Sequence, residues 1–196
     1  MDVLAHGCFT TYIYAGQIPE HGALDAQLIA SVKALRGKDP AGQQQTNIQG
    51  WQSARNLQDL PEFAELHEHF EVACAEVGKQ MKVKPGLKWR YQTWVNLSPS
   101  NAFNLPHIHP DSHLSGVYYV RIPEGSGQIY FRDPRVQAKT ILLPVERDSE
   151  LNVNELTFPP QAGVIYMFPS WLEHGVKPGT TDEDRIAIAF NARLLP

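Results

Sequence analysis

Cysteine is scarce in this sequence, with only Cys8 and Cys74 among 196 residues. Two thiols without close spacing exclude a disulfide framework and a thiolate metal site, so both are expected to be reduced and structural. Long apolar runs are missing as well: stretches such as GVIYMF fall far short of the roughly 20 residues that cross a bilayer as a helix. The opening MDVLAHGCFTTYIYAG has no basic region ahead of an apolar core, so it does not read as a signal peptide and a cytoplasmic protein is expected. Basic clusters are also absent, and the formal net charge is −4. Without Lys and Arg gathered to meet phosphates, nucleic acid is not an expected partner, and no membrane association is expected either. There is no internal repeat, low-complexity tract or charge block, and Pro and Gly are spread as turn punctuation.

What is present fits one globular domain over residues 1–196, with 42% hydrophobic and 19% charged residues. Residues 1–86 read as mainly helical. Leu24, Leu28, Val32 and Leu35 recur at helical spacing up to Gly37, which can supply a left-handed C-terminal residue. A second stripe runs through Leu60, Phe63, His67, Phe70, Cys74, Val77 and Met81, with Asp59 as N-cap and Glu62 as its capping-box partner. From residue 87 the period changes to two, through LKWRYQTWVNLS, LSGVYYVRI, GQIYFRD, TILLPV, NELTFPP, GVIYMFP and RIAIAFNARLL. Helices followed by short strands, rather than alternating with them, predict an α+β fold: a β-jelly roll over 87–196 braced by N-terminal helices.

The segment HIHPDSH sets His107, His109, Asp111 and His113 at every second position. On a strand, residues two apart share a face, so His107 and His109 can hold one ion from a rigid backbone while Ile108 points away. Imidazole is a common ligand for zinc, iron and copper. A third ligand is offered by MFPSWLEHGV, where a hydrophobic strand and a Pro-Ser-Trp corner lead to His174. Two ligands on one strand and one on a distant strand make a facial set that leaves positions open for substrate and oxidant. Were the strand to run past His109, Asp111 would share the ligand face as an alternative ligand. Pro110 favours a strand end, so the preferred reading stops the strand at His109, puts Asp111 and Ser112 in a turn and leaves His113 near the surface.

Taken in order, WVNLSPSNAFNLPHIHP, LSGVYYVRIPEGSGQIYFRDPR, GVIYMFPSWLEHGV and RIAIAFN resemble the iron(II)/2-oxoglutarate-dependent oxygenases. More narrowly they resemble a bacterial and phage-like branch with an HxHP…LSGVYYV signature, over roughly residues 88 to 194. The resemblance implies a double-stranded β-helix, Fe(II) on His107, His109 and His174, and 2-oxoglutarate as cosubstrate. It further implies that 2-oxoglutarate is converted to succinate and CO₂ while an unknown substrate is oxidised, in the expected case hydroxylated. The family's usual second ligand is a carboxylate two residues after the first His; here that place holds His109. Three neutral imidazoles would leave the iron its full charge and tighten binding of an anionic cosubstrate.

In the same family an Arg or Lys after the third ligand holds the distal carboxylate, and Arg185 follows His174 by eleven residues. Arg185, Ala187, Ala189 and Asn191 share one face, so small side chains beside the arginine leave room for a dicarboxylate. By likeness to the aspartyl/asparaginyl β-hydroxylase branch, Asn96 can hydrogen-bond that carboxylate. Tyr118 and Tyr119 point to opposite faces, which alternation alone cannot rank; Tyr118 is carried as the cosubstrate-side candidate. Arg132 and Arg135 are expected at the surface. Two other readings stay open: a cupin-like metalloenzyme or metal-binding protein that does not use 2-oxoglutarate, and a non-catalytic jelly roll with incidental histidines. Segments 38–58 and 132–156 are candidate lid loops, and an exposed edge strand allows a homodimer.

Overall fold

The computed structural model describes residues 1–140, 144–146 and 153–196. Its first part holds β1 (Tyr14–Gln17), α1 (Gly22–Lys38), β2 (Asn47–Ile48), β3 (Trp51–Gln52), two 3₁₀ turns (Leu57–Asp59 and Pro61–Phe63) and α2 (Ala64–Gln80). There follow β4 (Lys88–Ser98), β5 (Phe103–His107), β6 (Leu114–Arg121), β7 (Ile129–Arg132), a 3₁₀ turn (Val136–Lys139), β8 (Glu155–Phe158), β9 (Val164–Pro169), β10 (His174–Val176) and β11 (Arg185–Leu195). The strands form a larger sheet in the order β1-β9-β6-β11-β4-β3 and a smaller one in the order β2-β5-β10-β7-β8. All described pairings are antiparallel.

Period-two alternation assigns each face of the larger sheet to a different core. Val95 and Leu97, Tyr118 and Val120, Ile165 and Met167, Ile186 and Ile188 pack with Leu28, Val32, Leu66 and Phe70 of the helices. The four helical side chains are completely buried, and each such burial contributes about 1.5–3 kcal/mol. Tyr119, Tyr166, Phe168 and Ala187 face the other way and meet Ile129 and Phe131 between the two sheets. The sandwich interior, away from the helices, is therefore where a site has room.

Several local expectations give way to tertiary contacts. Helix α1 runs through Gly37 to Lys38, and its end is closed by the Asp39 amide donating to Leu35 O at 3.0 Å. Asp39 is fixed there because its carbonyl accepts from the Trp51 indole at 2.8 Å. The capping box of Asp59 and Glu62 does not form, since α2 starts at Ala64 behind two 3₁₀ turns, and Phe63 caps it without a side-chain bond. Pro61 presets the second tight turn, while completely buried Leu57 and Phe63 draw both turns inward. Cys74 is buried, but Cys8 is exposed and has no packing role. The N-terminal part also adds three strands of two to four residues, too short to show a period. Half of the expected strand TILLPV, residues 141–143, lies outside the described residues, whereas the other six period-two segments all form strands. Among the described residues no helix is long and apolar enough to cross a membrane.

Candidate metal and cosubstrate site

His107 ends β5 and lies directly opposite His174, the first residue of β10. His109 stands two residues beyond the strand, which stops earlier than the sequence suggests because Pro110 turns the chain. Its position is fixed instead by its amide, which donates to the carbonyl of buried Ser170 at 2.8 Å. One ligand atom from each of the three histidines lies within 4.8 Å of the others. Ring centroids are 4.3 Å apart for His107 and His174, 4.9 Å for His107 and His109, and 5.2 Å for His109 and His174. Space for β10 between its neighbours comes from Gly175, where any side chain would meet the Tyr130 hydroxyl and the Asn104 carbonyl.

Tautomers follow from the hydrogen bonds. Nδ1 of His107 lies 2.7 Å from Leu105 O, and Nδ1 of His174 lies 2.9 Å from Leu172 O. A carbonyl only accepts, so each Nδ1 carries the proton and leaves the Nε2 lone pair for a cation. Burial pushes His174 down to about 3, helped by the nearby His107, and pushes His109 down to about 3, helped by His107 and Arg55. Burial also lowers His107. Three neutral donors converge here, as a divalent transition metal requires.

Behind the histidines, paired residues of β4 and β11 line a floor between the sheets: Ser98 opposite Arg185, Asn96 opposite Ala187, Trp94 opposite Ala189 and Gln92 opposite Asn191. At strand rise this track is about 20 Å long. It divides into an inner cavity of about 60 Å³ and an outer chamber of about 260 Å³. Arg185, at the inner end, is 3% exposed. Its guanidinium donates to Gly127 O at 3.0 Å and to Ser98 Oγ at 3.4 Å, while Nε has no partner. No carboxylate among the described residues pairs with it. A buried guanidinium without a counter-charge costs several kcal/mol, which an anion in the cavity offsets. Burial accordingly lowers its pKa, against the raising effect of Tyr119 beside it. Gln52 Nε2 and Asn96 Oδ1 are likewise buried without partners, and these two residues oppose each other across β3 and β4. The site thus has donors and charge for a small dicarboxylate next to ligands for a metal.

Of the residues singled out in the sequence, His107, His109, His174, Arg185 and Asn96 all line the inner cavity. Tyr118 does not. Its hydroxyl donates to Asp25 Oδ1 at 2.6 Å on the helix side of the sheet, and Tyr119 is the tyrosine in the cavity. The register of β6 in its sheet decides between them, and alternation could not. Asp111 is exposed in the turn after His109 and is not part of the histidine group. His113 is exposed, and its Nδ1 accepts from the Leu194 amide at 3.0 Å. Arg132 pairs with Glu173 and Glu155, and Arg135 with Asp133, away from both chambers. Gln52, Arg55 and Trp94 carry no mark in the sequence that singles them out. The first two come from the segment 38–58, whose composition suggests only a lid, and Trp94 is revealed by sharing a face with Asn96.

Residues 92–191 match the model of the 2OG-Fe(II) oxygenases. The chain belongs to this family. This oxygenase is an oxidoreductase dependent on Fe(II) and 2-oxoglutarate, and His107, His109 and His174 are residues that could bind the iron. Among solved structures it is similar to a Pseudomonas putida prolyl-4-hydroxylase, with a TM-score of 0.67 and 16% identity over 94% of this chain and 93% of that one. It is also similar to the α-ketoglutarate-dependent epimerase SnoN from nogalamycin biosynthesis, with a TM-score of 0.68 and 16% identity over 93% of this chain and 76% of the other. HygX from Streptomyces hygroscopicus, solved with nickel, 2-oxoglutarate and hygromycin B bound, gives 0.66 and 13% over 94% and 83%. At such identities the likeness is one of fold, the double-stranded β-helix. No curated protein matches the sequence.

Proposed function

We propose that this oxygenase hydroxylates a C–H bond of its substrate, with Fe(II) on His107, His109 and His174 and 2-oxoglutarate anchored by Arg185. The observation that carries this is the buried, carboxylate-free Arg185 guanidinium in the same cavity as three convergent imidazoles. When bound, iron and 2-oxoglutarate supply the oxidising power, with dioxygen consumed and succinate and CO₂ released.

The chain itself positions and shields. His107 and His174 present Nε2 because Leu105 and Leu172 hold their Nδ1 protons. Arg185 offers a planar fork to the distal carboxylate, including the Nε proton that now lacks an acceptor. Gln52 adds its Nε2, and Asn96 adds Nδ2 once its amide turns over, since an unpaired Oδ1 would face an anion unfavourably. Trp94 and Ala189, paired between the inner Asn96 and Ala187 and the outer Gln92 and Asn191, add wall to the inner cavity on the side toward the outer chamber. A cupin-like metalloprotein without 2-oxoglutarate leaves Arg185 with no counter-charge. A cytoplasmic setting, with Cys8 and Cys74 free, suits the same reading.

Anaerobic addition of Fe(II) and 2-oxoglutarate should produce a weak visible charge-transfer band, and air should then yield succinate. A metal-loaded protein that shows neither overturns the proposal.

A further inference from the structure

Apart from His107 and His109 in its wall, the outer chamber contains none of the residues assigned to the metal or the cosubstrate. It shares Thr46, Arg55, His107 and His109 with the inner cavity and so opens directly onto the histidine group. Its size, about 260 Å³, is near the lower end of ligand pockets, roughly 300–1,000 Å³. That suits a small molecule or a single side chain.

Arg55 reaches in from the loop after β3 and sets its guanidinium 4.7 Å above the Trp94 ring. The Trp94 ring in turn lies 5.8 Å from that of His109. Stacking covers one face of a guanidinium and leaves its in-plane N–H groups free to bind an anion. No carboxylate among the described residues forms an ion pair with Arg55.

The rest of the wall is biased toward donors. Asn191 is buried and its Oδ1 accepts from Ser115 Oγ at 2.8 Å, which leaves its Nδ2 for the chamber. Gln92 opposes Asn191 in the sheet and lines the same space. Asp111, exposed on the turn, is the acid of this lining and would orient an anionic group away from itself, toward Arg55. With three neutral ligands, a bound divalent cation would keep about one unit of positive charge toward the chamber, because one of the cosubstrate's two carboxylates would be met by Arg185.

We propose that this chamber takes the prime substrate, and that the substrate carries an oxyanion, carboxylate or phosphate, gripped by Arg55 on Trp94 and hydrogen-bonded by Asn191 and Gln92. This rests on the proposed iron and 2-oxoglutarate site. Calorimetry on protein loaded with Ni(II) and saturating 2-oxoglutarate tests it, with N-acetylglycine, neutral N-acetylglycinamide and methyl phosphate as probes. At least one of the two anionic probes should bind tenfold or more tighter than the neutral amide, and the better one identifies the source of the oxyanion. Arg55→Gln should erase the preference and Arg55→Lys restore part of it, which a merely structural stack on Trp94 would not do. Equal binding of charged and neutral probes, or a preference that survives Arg55→Gln, overturns the proposal. The anaerobic Fe(II) band separates the two levels: present in wild type and Arg55→Gln, it shows the iron site intact, and binding of the probes then decides the oxyanion question. Its absence from wild type overturns the underlying reading and this one with it.

Discussion

His107 and His174 oppose each other across β5 and β10, and each gives its Nδ1 proton to the carbonyl two residues before it. The two rings are therefore oriented by backbone, that of β5 for His107 and that of the turn before β10 for His174, before any metal arrives.

His174→Ala should accordingly lower metal affinity by about a hundredfold or more, at or beyond the upper end of what loss of a supporting contact does. Asp111→Asn should leave it unchanged. Metal content after dialysis against limiting Fe(II), or against Zn(II) as a redox-inert substitute, reads both. A metal-poor Asp111→Asn would restore the carboxylate as a ligand.

Arg185→Gln keeps hydrogen bonding but removes the charge. A charge-assisted bond is worth roughly 1.5–3 kcal/mol, so the 2-oxoglutarate dissociation constant should rise by about ten- to a hundredfold. Metal content should stay constant. The charge-transfer band titrated anaerobically measures the first, and elemental analysis the second.

The metal-free protein should weaken in acid. Folded His109 and His174 are depressed to about 3, whereas in the unfolded chain a histidine titrates near 6.5. Between these values the unfolded state binds more protons, so stability is full above the unfolded value and falls as pH drops toward 3. The slope is up to about 1.4 kcal/mol per pH unit for each histidine. Thermal melts of chelator-treated protein at pH 8 and pH 5 should show the lower Tm at pH 5, and the double variant His109→Gln/His174→Gln should flatten the difference.

Adjacent tyrosines should respond to different assays. Tyr118→Phe deletes the donor to buried Asp25 and should cost about 1–3 kcal/mol of stability while 2-oxoglutarate binding is kept. Tyr119→Phe, in the cavity beside Arg185, should weaken 2-oxoglutarate binding. Paired denaturant melts and anaerobic titrations would show whether the effects are reversed.

Much of the fold and site is legible in the sequence where local spacing carries the information. Period-two runs from Lys88 onward mark the strands, and His-x-His with a later histidine marks the histidine group that could hold a metal. What stays hidden depends on pairing between distant segments. Tyr118 and Tyr119 differ only in which layer β6 presents them to. Gln52 and Arg55 reach the cavity because two-residue β3 pairs with β4 at Trp51 and Gln52, and no periodicity marks so short a strand. Gly37 has the chemistry of a helix end, but the Trp51 indole bond to Asp39 sets where that chain leaves the helix.

Strand β11 serves two layers at once, Ile186, Ile188 and Phe190 toward the helices and Arg185, Ala187 and Ala189 toward the cavity. Slipping it by one residue would drive a guanidinium into hydrocarbon and put bulky aliphatics into the cavity proposed for the dicarboxylate. Misalignment would thus cost both fold and function together, and partly active, misregistered species should not accumulate when the chain refolds.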